Sequence, residues 1–128
     1  MEYSERLKDH FMNPRNVGDL DTADTAVGSA TIGSPVCGDT MQFYIKVNGN
    51  GIIVDVKFRT FGCGSAIASA SLATEWLIGR SLDEALQIKN AQIAEALELP
   101  PAKVHCSVLA EEAIQAAVTN YRQKNGLL

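Results

Sequence analysis

The chain has 128 residues, of which 46% are apolar and 20% are charged, and its formal net charge is −4. These values are typical of a globular protein, and the length suits a single core, so residues 1–128 are expected to form one domain. The negative charge and the scattered Lys and Arg residues argue against nucleic acid as the main partner, because phosphate binding requires clustered basic side chains.

The sequence also predicts no transmembrane segment. The most apolar stretch, from Ala66 to Ile78, is too short and too polar to cross a bilayer. Residues 1–6 lack the apolar segment of a signal peptide. We therefore expect a cytoplasmic protein, in a compartment that keeps thiols reduced.

The first predicted element is a short helix over residues 3–13. Ser4 is a suitable N-cap, and the spacing of Leu7 and Phe11 places both on one helix face. The residues that follow are rich in Gly, Asp, Thr and Ser, and they carry only a weak signal for an edge strand around Gly28–Ile32.

Two strands are predicted next from a clean alternation of apolar and polar residues. The first runs from Met41 to Val47, the second from Ile52 to Phe61, and Asn48–Gly51 between them is a strong hairpin-turn sequence. The buried face of the second strand is predicted to carry Ile52, Val54, Val56 and Phe58. Such a pattern is typical of an antiparallel sheet with one face in the core.

Helical patterns fill the rest of the chain. One helix is predicted from Ser65 to Ile78, and Ser81 with Glu84 forms a capping box for a short helix after it. Asn90 is expected to cap a further helix that ends near Leu97.

A long helix is predicted at the C-terminus, from about Lys103 to Lys124. Its apolar stripe is expected to contain Val104, Val108, Ala113 or Ile114, Ala117, Val118 and Tyr121. Because strands come first and helices afterwards, we predict the α+β class: a small antiparallel three-stranded sheet with helices packed on one face and a long C-terminal helix.

All three cysteines are predicted at the ends of elements. Cys37 lies in a loop before a strand, Cys63 lies between a strand and a helix, and Cys106 lies in the first turn of the last helix. An odd number of thiols in a reducing compartment cannot all form disulfides within one chain, which leaves buried thiols, nucleophiles or metal ligands. Positions near helix N-termini favour the thiolate at Cys63 and Cys106, because the helix dipole stabilises negative charge there.

Two other potential ligands lie beside these thiols. Asp39 is two residues after Cys37, and His105 directly precedes Cys106. Four such groups suffice for a tetrahedral zinc ion or for the terminal ligands of a [2Fe–2S] cluster, and the residues alone leave both open. With five candidates for four places, one ligand would be replaceable and the site could release its metal.

A Cys–His nucleophile is the alternative use of the same residues. Adjacent residues of a helix point about 100° apart, so we expect His105 to be badly placed to deprotonate Cys106. His10 is the other histidine, and nothing in its sequence context favours a catalytic role. Isolated cysteines are by default small buried apolar residues, which is the plainest alternative for all three.

Four segments resemble, in the same order, the signature sequences of the IscU scaffold family, which is related to the N-terminal domain of NifU. They are Asp9–Gly18, Cys37–Asp39, Phe61–Ala66 and Leu99–Ser107, and the resemblance covers nearly the whole chain. The related SufU branch carries an insertion between its second and third cysteines and lacks the histidine before the third, whereas this chain has His105 and no insertion.

The resemblance implies the α+β fold and a scaffold or carrier role in place of catalysis. Family members receive sulfur from a cysteine desulfurase, combine it with Fe2+ and electrons to build a [2Fe–2S] cluster, and pass the cluster to apo-proteins. A ferredoxin is a further expected partner. The implied ligands are Cys37, Asp39, Cys63, His105 and Cys106, with either Asp39 or His105 as the fourth ligand.

Three finer expectations follow from the resemblance. Cys106 corresponds to the acceptor of persulfide sulfur, and we expect this thiol to be both reactive and exposed. Asp39 is expected to make the cluster labile, because a carboxylate is a harder ligand than a thiolate. Zn2+ is expected to occupy the site in the cluster-free protein.

The segment Leu99–Lys103 resembles the family's recognition sequence for a dedicated Hsp70-type chaperone, and a co-chaperone is a further expected partner. Its residues are Leu99, Pro100, Pro101, Ala102 and Lys103. The family form more often has Val at the place of Ala102, and the alternative is a connection that only breaks the helix. A different class of function also stays open, namely a small protein with a purely structural zinc ion, which would unfold when the zinc is chelated.

Overall fold

The computed structural model describes residues 3–33 and 38–127. Over these residues an antiparallel sheet of three strands, in the order β1–β2–β3, is covered by helices. The elements are α1 (Glu5–Met12), β1 (Val27–Gly33), β2 (Thr40–Val47), β3 (Ile53–Phe61), α2 (Gly64–Leu77), α3 (Leu82–Ala85), α4 (Asn90–Leu97), a 3-10 turn (Pro101–Lys103) and α5 (Val104–Lys124). The predicted α+β class, with a three-stranded sheet and a long C-terminal helix, is confirmed.

Strand β2 forms the centre of the sheet and supplies much of its buried face. Met41, Phe43 and Ile45 are fully buried, in the alternation that the sequence predicts. Phe43 lies opposite Phe58 of β3, and the two ring centroids are 6.4 Å apart, within the range of a favourable aromatic pair. Asn48 organises the turn to β3, since its Oδ1 accepts hydrogen bonds from two later backbone N–H groups.

A β-bulge shifts the register between β2 and β3 near this turn. As a result Ile53 is fully buried, whereas Val54 is 48% exposed and Ile52 is half-buried. Lys46 pairs with Asp55 and Val47 with Ile53, so Val54 is the extra residue of the bulge. The predicted buried face is therefore wrong at Val54, because the extra residue inverts the alternation between it and the turn. Val56 and Phe58 lie past the bulge and are buried as predicted.

Helix α5 packs on β1 at a point where the strand has no side chain. A Cβ on Gly28 would lie 2.7 Å from Cβ of Tyr121 and closer still to the carbonyl oxygen of Ala117. The glycine therefore allows the helix to approach the sheet closely. The buried residues of α5 are Cys106, Ser107, Leu109, Ala110, Ala113, Ile114, Ala117 and Val118. The predicted stripe is wrong at Val108, which is 37% exposed.

The two short helices between α2 and α5 differ in how their starts are capped. The predicted capping box of α3 is confirmed, since Ser81 Oγ accepts from the Glu84 N–H at 3.1 Å and the Glu84 carboxylate accepts from the Ser81 N–H at 2.9 Å. The predicted cap of α4 is wrong by one residue, because Lys89 is the N-cap. Asn90 is already helical, and its N–H donates to Glu111 on α5 at 2.5 Å.

A set of polar residues joins α1 to α2, and we call it the α1–α2 network: Asp9, His10, Arg15, Ser71 and Glu75. Ring atom Nδ1 of His10 lies 2.7 Å from Ser71 Oγ, and Nε2 lies 3.1 Å from a Glu75 carboxylate oxygen. The Arg15 N–H donates to Ser71 Oγ at 2.9 Å, and its guanidinium contacts Asp9 at 2.6 Å. These contacts fix α1 against the helix whose first turn follows Cys63.

The pKa values in the network follow from these contacts. Burial lowers the pKa of His10, whose side chain is only 3% exposed, and the positive charge of Arg15 lowers it further. The Arg15 guanidinium lowers the pKa of the Asp9 carboxyl through their hydrogen bond. A neutral His10 with its proton on Nε2 fits the contacts, because Nε2 then donates to Glu75 and Nδ1 accepts from Ser71.

The segment after α1 runs alongside β3. The Gly18 N–H donates to the carbonyl of Phe58 at 2.9 Å, and the Phe58 N–H donates to the carbonyl of Asn16 at 3.0 Å. The side chain of Asn16 also donates to Thr74 Oγ1 on α2 at 2.9 Å. Residues 16–18 therefore connect α2 with the outer side of β3. In the described part of the chain, residues 3–33 and 38–127, no helix has the length and apolar character needed to cross a membrane.

Candidate metal centre

Three elements begin at one place in the fold, and each presents a potential metal ligand there. Asp39 directly precedes β2, Cys63 is the N-cap of α2, and Cys106 lies in the first turn of α5. One ligand atom from each residue lies within 4.8 Å of the others. Cys63 and Cys106 lie at the ends of elements, as the sequence predicts. We call the group formed by Asp39, Cys63 and Cys106 the thiol–carboxylate triangle.

The triangle has sides that suit a single metal ion. The two sulfur atoms of Cys63 and Cys106 are 3.5 Å apart, and Oδ2 of Asp39 lies 3.6 Å from the first and 3.8 Å from the second. A tetrahedral ion with metal–sulfur bonds of about 2.3 Å and metal–oxygen bonds of about 2.0 Å spaces its ligand atoms roughly 3.5 to 3.8 Å apart. The three atoms can therefore form one face of a tetrahedral site.

His105 lies next to the triangle and supplies a possible fourth ligand. Its Nε2 is 3.5 Å from the sulfur of Cys106 and 3.7 Å from Oδ2 of Asp39. The expectation that His105 is badly placed relative to Cys106 is therefore wrong. The angle of about 100° describes where the side chains leave a helix, and the length of the imidazole side chain brings its outer nitrogen back to the neighbouring sulfur.

The members of the site differ in their access to solvent. Cys106 is fully buried and Asp39 is 4% exposed, whereas Cys63 is half-buried and the side chain of His105 is 30% exposed. The expectation of an exposed Cys106 is therefore wrong. Cys63 and His105 form the accessible side of the site.

Two further predictions concern Cys37 and the segment Leu99–Lys103. Cys37 lies outside the described residues, so its part in the site stays a prediction. The segment Leu99–Lys103 leads directly into α5, with Pro101 and Ala102 exposed. The turn that precedes His105 is thus accessible from outside the protein.

A mainly apolar cavity of about 400 Å³ opens beside Cys63. Helix α1 forms one wall through Leu7, Phe11 and Met12, and the start of α2 forms the other. Gly64 permits this closeness, since a Cβ there would lie 3.0 Å from the Phe11 ring. The sequence predicts that Leu7 and Phe11 share a face, but it does not predict that this face borders a thiol.

Gly62 has a neighbour in the structure that the sequence does not reveal. The glycines around the cysteines suggest close approach of a ligand or a second chain. In the structure the group that approaches Gly62 is the side chain of Asp39 from the same chain. Only the pairing of β2 with β3, which is a long-range property, could have revealed this.

The family model of NifU-like N-terminal domains matches residues 2–127. The chain is 64% identical to the iron–sulfur cluster assembly scaffold protein IscU of Haemophilus influenzae, over 98% of this chain and 100% of that protein. It is 62% identical to IscU of Azotobacter vinelandii over the whole of both chains, and 61% identical to IscU of Escherichia coli K12 over 97% of each. The chain belongs to the family of NifU-like N-terminal domains.

Solved structures agree with this fold. A candidate iron–sulfur cluster assembly scaffold protein for the SUF system from Fervidobacterium islandicum superposes with a TM-score of 0.74 at 25% identity, covering 91% of this chain and 96% of that one. The N-terminal part of a NifU-like protein from Brucella abortus gives 0.64 at 21% identity, covering 98% and 95%. The second likeness concerns the fold alone.

Proposed function

We propose that this chain is an iron–sulfur cluster assembly scaffold that builds a labile [2Fe–2S] cluster and passes it to apo-proteins. Relatives that carry the scaffold name are more than 60% identical to this chain over at least 97% of their length. The observation that carries the proposal is the thiol–carboxylate triangle, in which ligand atoms of three separate elements lie within 4.8 Å of one another. Iron and the cluster are the cargo of this site.

Each candidate residue has a role in the proposal. Cys37, Cys63 and Cys106 supply thiolates, which are the usual ligands of iron–sulfur clusters. Asp39 and His105 compete for the fourth place, since both lie near Cys106. Because a carboxylate is a hard ligand that suits an iron–sulfur centre less well than sulfur does, its presence favours release of the cluster. Zn2+ fills the same site when the protein carries no cluster.

Sulfur reaches the site from a cysteine desulfurase as a persulfide. In the proposed step the thiolate of Cys106 attacks the outer sulfur of the donor's persulfide, a new S–S bond forms on Cys106, and the donor cysteine leaves as a thiolate. The exchange needs no external oxidant or reductant, while a ferredoxin supplies the electrons for cluster formation. Because Cys106 is fully buried, its surroundings have to open before the attack.

The first experiment is anaerobic reconstitution. Reduced protein is mixed with ferrous iron, cysteine and a cysteine desulfurase, and visible absorption and circular dichroism are recorded. We expect sulfide-to-iron charge-transfer bands to grow, and then to be lost as an apo-ferredoxin gains its own. An absence of bands, together with one zinc ion per chain that resists exchange, would contradict the scaffold function and favour a structural zinc protein.

Mass spectrometry tests the sulfur acceptor. After incubation with the desulfurase and cysteine, we expect a mass increase of one sulfur atom on the parent chain and none on Cys106→Ser. Cys63→Ser is the matched control, since it removes the more accessible sulfur of the same pair. A normal persulfide yield on Cys106→Ser would move the acceptor role to Cys63 or Cys37.

Cluster transfer tests the role of Asp39. In Asp39→Ala we expect slower transfer to an apo-ferredoxin, on the order of tenfold, because the competing hard ligand is gone. Transfer at the parent rate would contradict the proposed cause of lability, while leaving the assembly function intact.

The remaining partners and the setting belong to the same proposal. An Hsp70-type chaperone, which acts with a co-chaperone, binds Leu99–Lys103, whose residues Pro101 and Ala102 are exposed. We expect the parent chain to stimulate the chaperone's ATPase activity and Pro101→Ala to do so less. Equal stimulation by the parent and by Pro101→Ala would mean that Leu99–Lys103 only connects two helices and does not bind the chaperone. Residues 1–128 act as one domain in the cytoplasm.

A further inference from the structure

Gly62 and Asp39 are held side by side by the sheet. Thr40, the first residue of β2, pairs with Phe61, the last residue of β3. The next residues beyond this pair are Asp39 and Gly62, so the two main chains stay close where the sheet ends. A hydrogen bond of 2.6 Å from Thr60 Oγ1 to the carbonyl of Thr40 adds to this connection. Neither main chain can move away without loss of pairing at the end of the ladder.

The space above Gly62 is filled by the Asp39 side chain. A Cβ on Gly62 would lie 2.6 Å from Cγ and 3.0 Å from Cβ of Asp39, and closer still to Oδ1. The φ angle of Gly62 lies outside the left-handed region, so its backbone conformation is open to any residue. The structure therefore requires glycine here because of the space that Asp39 occupies.

That space determines where the carboxylate points. While Oδ1 lies over Gly62, Oδ2 lies 3.6 Å from the sulfur of Cys63 and 3.8 Å from that of Cys106. We propose that Gly62 is a positioning residue: its missing side chain leaves the room in which the Asp39 carboxylate turns towards the two thiols. This inference rests on the proposed scaffold function, and it assigns the lability of the cluster to Gly62 as well as to Asp39.

The orientation of Asp39 can be measured without metal. Three-bond couplings from the backbone nitrogen and carbonyl carbon of Asp39 to its Cγ report χ1 in solution. We expect Gly62→Ala to change the χ1 population of Asp39, because the added methyl group occupies the place of Oδ1. Gly33→Ala is the matched control, since a Cβ there meets only the main-chain oxygen of Asp39, at 3.8 Å. Unchanged couplings in Gly62→Ala would overturn the proposal.

Cluster transfer to an apo-ferredoxin gives the second readout. We expect Gly62→Ala to slow transfer by the same factor as Asp39→Ala, on the order of tenfold. The double variant D39A/G62A should show no further slowing, because both changes remove one interaction. Transfer by Gly62→Ala at the parent rate, or additional slowing in the double variant, would also overturn the proposal.

Folding of the variants supplies a third outcome. If Gly62→Ala alone fails to fold, the double variant D39A/G62A should fold, because the obstructing carboxyl is absent. Failure of both would mean that the main chain itself requires glycine, and the proposal would fall. If no variant and no parent protein forms a cluster, the scaffold function fails, whereas the χ1 measurement still decides whether Gly62 orients Asp39.

Discussion

Two clusters of polar side chains involve the helices of this molecule, and they differ in how well their hydrogen-bonding groups are paired with one another. The hydrogen bonds of the α1–α2 network are 2.6 to 3.1 Å long, and each joins a donor to an acceptor. The contacts among the candidate metal ligands are 3.5 to 3.8 Å long. Sulfur is a weak donor and a weak acceptor, so these ligands stabilise one another little.

The difference separates a structural cluster from a binding site. A polar network whose members are largely paired, as here apart from the buried Nη1 of Arg15, stabilises one arrangement of the helices. Thiols and a carboxylate that face a common point are better satisfied by a cation than by one another. We therefore expect that changes in the α1–α2 network reduce stability and leave cluster binding intact, whereas changes in the thiol–carboxylate triangle do the reverse.

The largest expected effect is the loss of cluster in Cys63→Ala. One thiolate ligand is removed, so the cluster yield after reconstitution should fall to the background of a mock reaction. The free energy of unfolding should change by no more than about 0.5 kcal/mol, because Cys63 is only half-buried and caps α2 without a side-chain hydrogen bond. Charge-transfer absorption and urea unfolding measure the two quantities. A normal yield of iron–sulfur cluster in Cys63→Ala would contradict the assignment of cluster binding to the thiol–carboxylate triangle.

The next effect is a loss of stability in His10→Ala. Ser71 and Glu75 lose their partner, and a cavity forms between α1 and α2, so the free energy of unfolding should fall by about 2 to 3 kcal/mol. Urea unfolding of the metal-free protein measures this change. Cluster yield per folded chain should match that of the parent. A loss of cluster without a loss of stability would place His10 in the binding site instead.

A smaller effect is the pH dependence that His10 gives to the free energy of unfolding. The folded state lowers the pKa of His10 below its ordinary value of 6.5, so the unfolded chain binds the proton more readily. The contribution of His10 to the free energy of unfolding is therefore fully present above about pH 6.5. It is lost as the pH falls through 6.5 towards the lowered pKa of the folded state. Unfolding free energies of the parent and of His10→Gln, compared across this range, should converge at the acidic end. Parallel curves would contradict the assignment.

The smallest effect is expected far from both clusters. Ser81→Ala removes the side chain that caps α3, at a cost of about 1 kcal/mol in unfolding free energy. Cluster yield and transfer should not change. This variant measures how a modest loss of stability affects reconstitution, so that the results for the two clusters can be corrected for it. A clear loss of cluster in Ser81→Ala would mean that stability alone controls the yield.

Local patterns predicted most of the fold. The alternation in β2, the hairpin turn and the capping box of α3 depend on residues close together in the sequence, and all three are observed. The bulge at Val54 was not predictable, because a continuous alternation gives no sign of an extra residue. The exposure of Val108 also depends on which side of α5 the sheet covers, a property of the tertiary structure.

The sequence indicated four residues that the structure brings together, namely Asp39, Cys63, His105 and Cys106, but it did not indicate their geometry. The neighbourhood of Asp39, Cys63, His105 and Cys106 follows from where three elements begin, which the sequence indicates well. The sequence could not reveal that Cys106 is buried, that the His105 ring reaches back to it, or that Gly62 faces Asp39. Each of these depends on side-chain directions or on pairing between strands far apart along the chain.

The segment at residues 16–18 has a consequence for solubility. Phe58 exchanges two main-chain hydrogen bonds with Asn16 and Gly18, and this covers part of the outer side of β3. An outer strand with open N–H and C=O groups is a template for self-association. Asn16 is hydrogen-bonded to Thr74, and α1 is held by the α1–α2 network. Detachment of α1 together with residues 16–18 would therefore uncover the outer edge of β3. The same contacts that stabilise two helices therefore also protect the chain from pairing with its own copies.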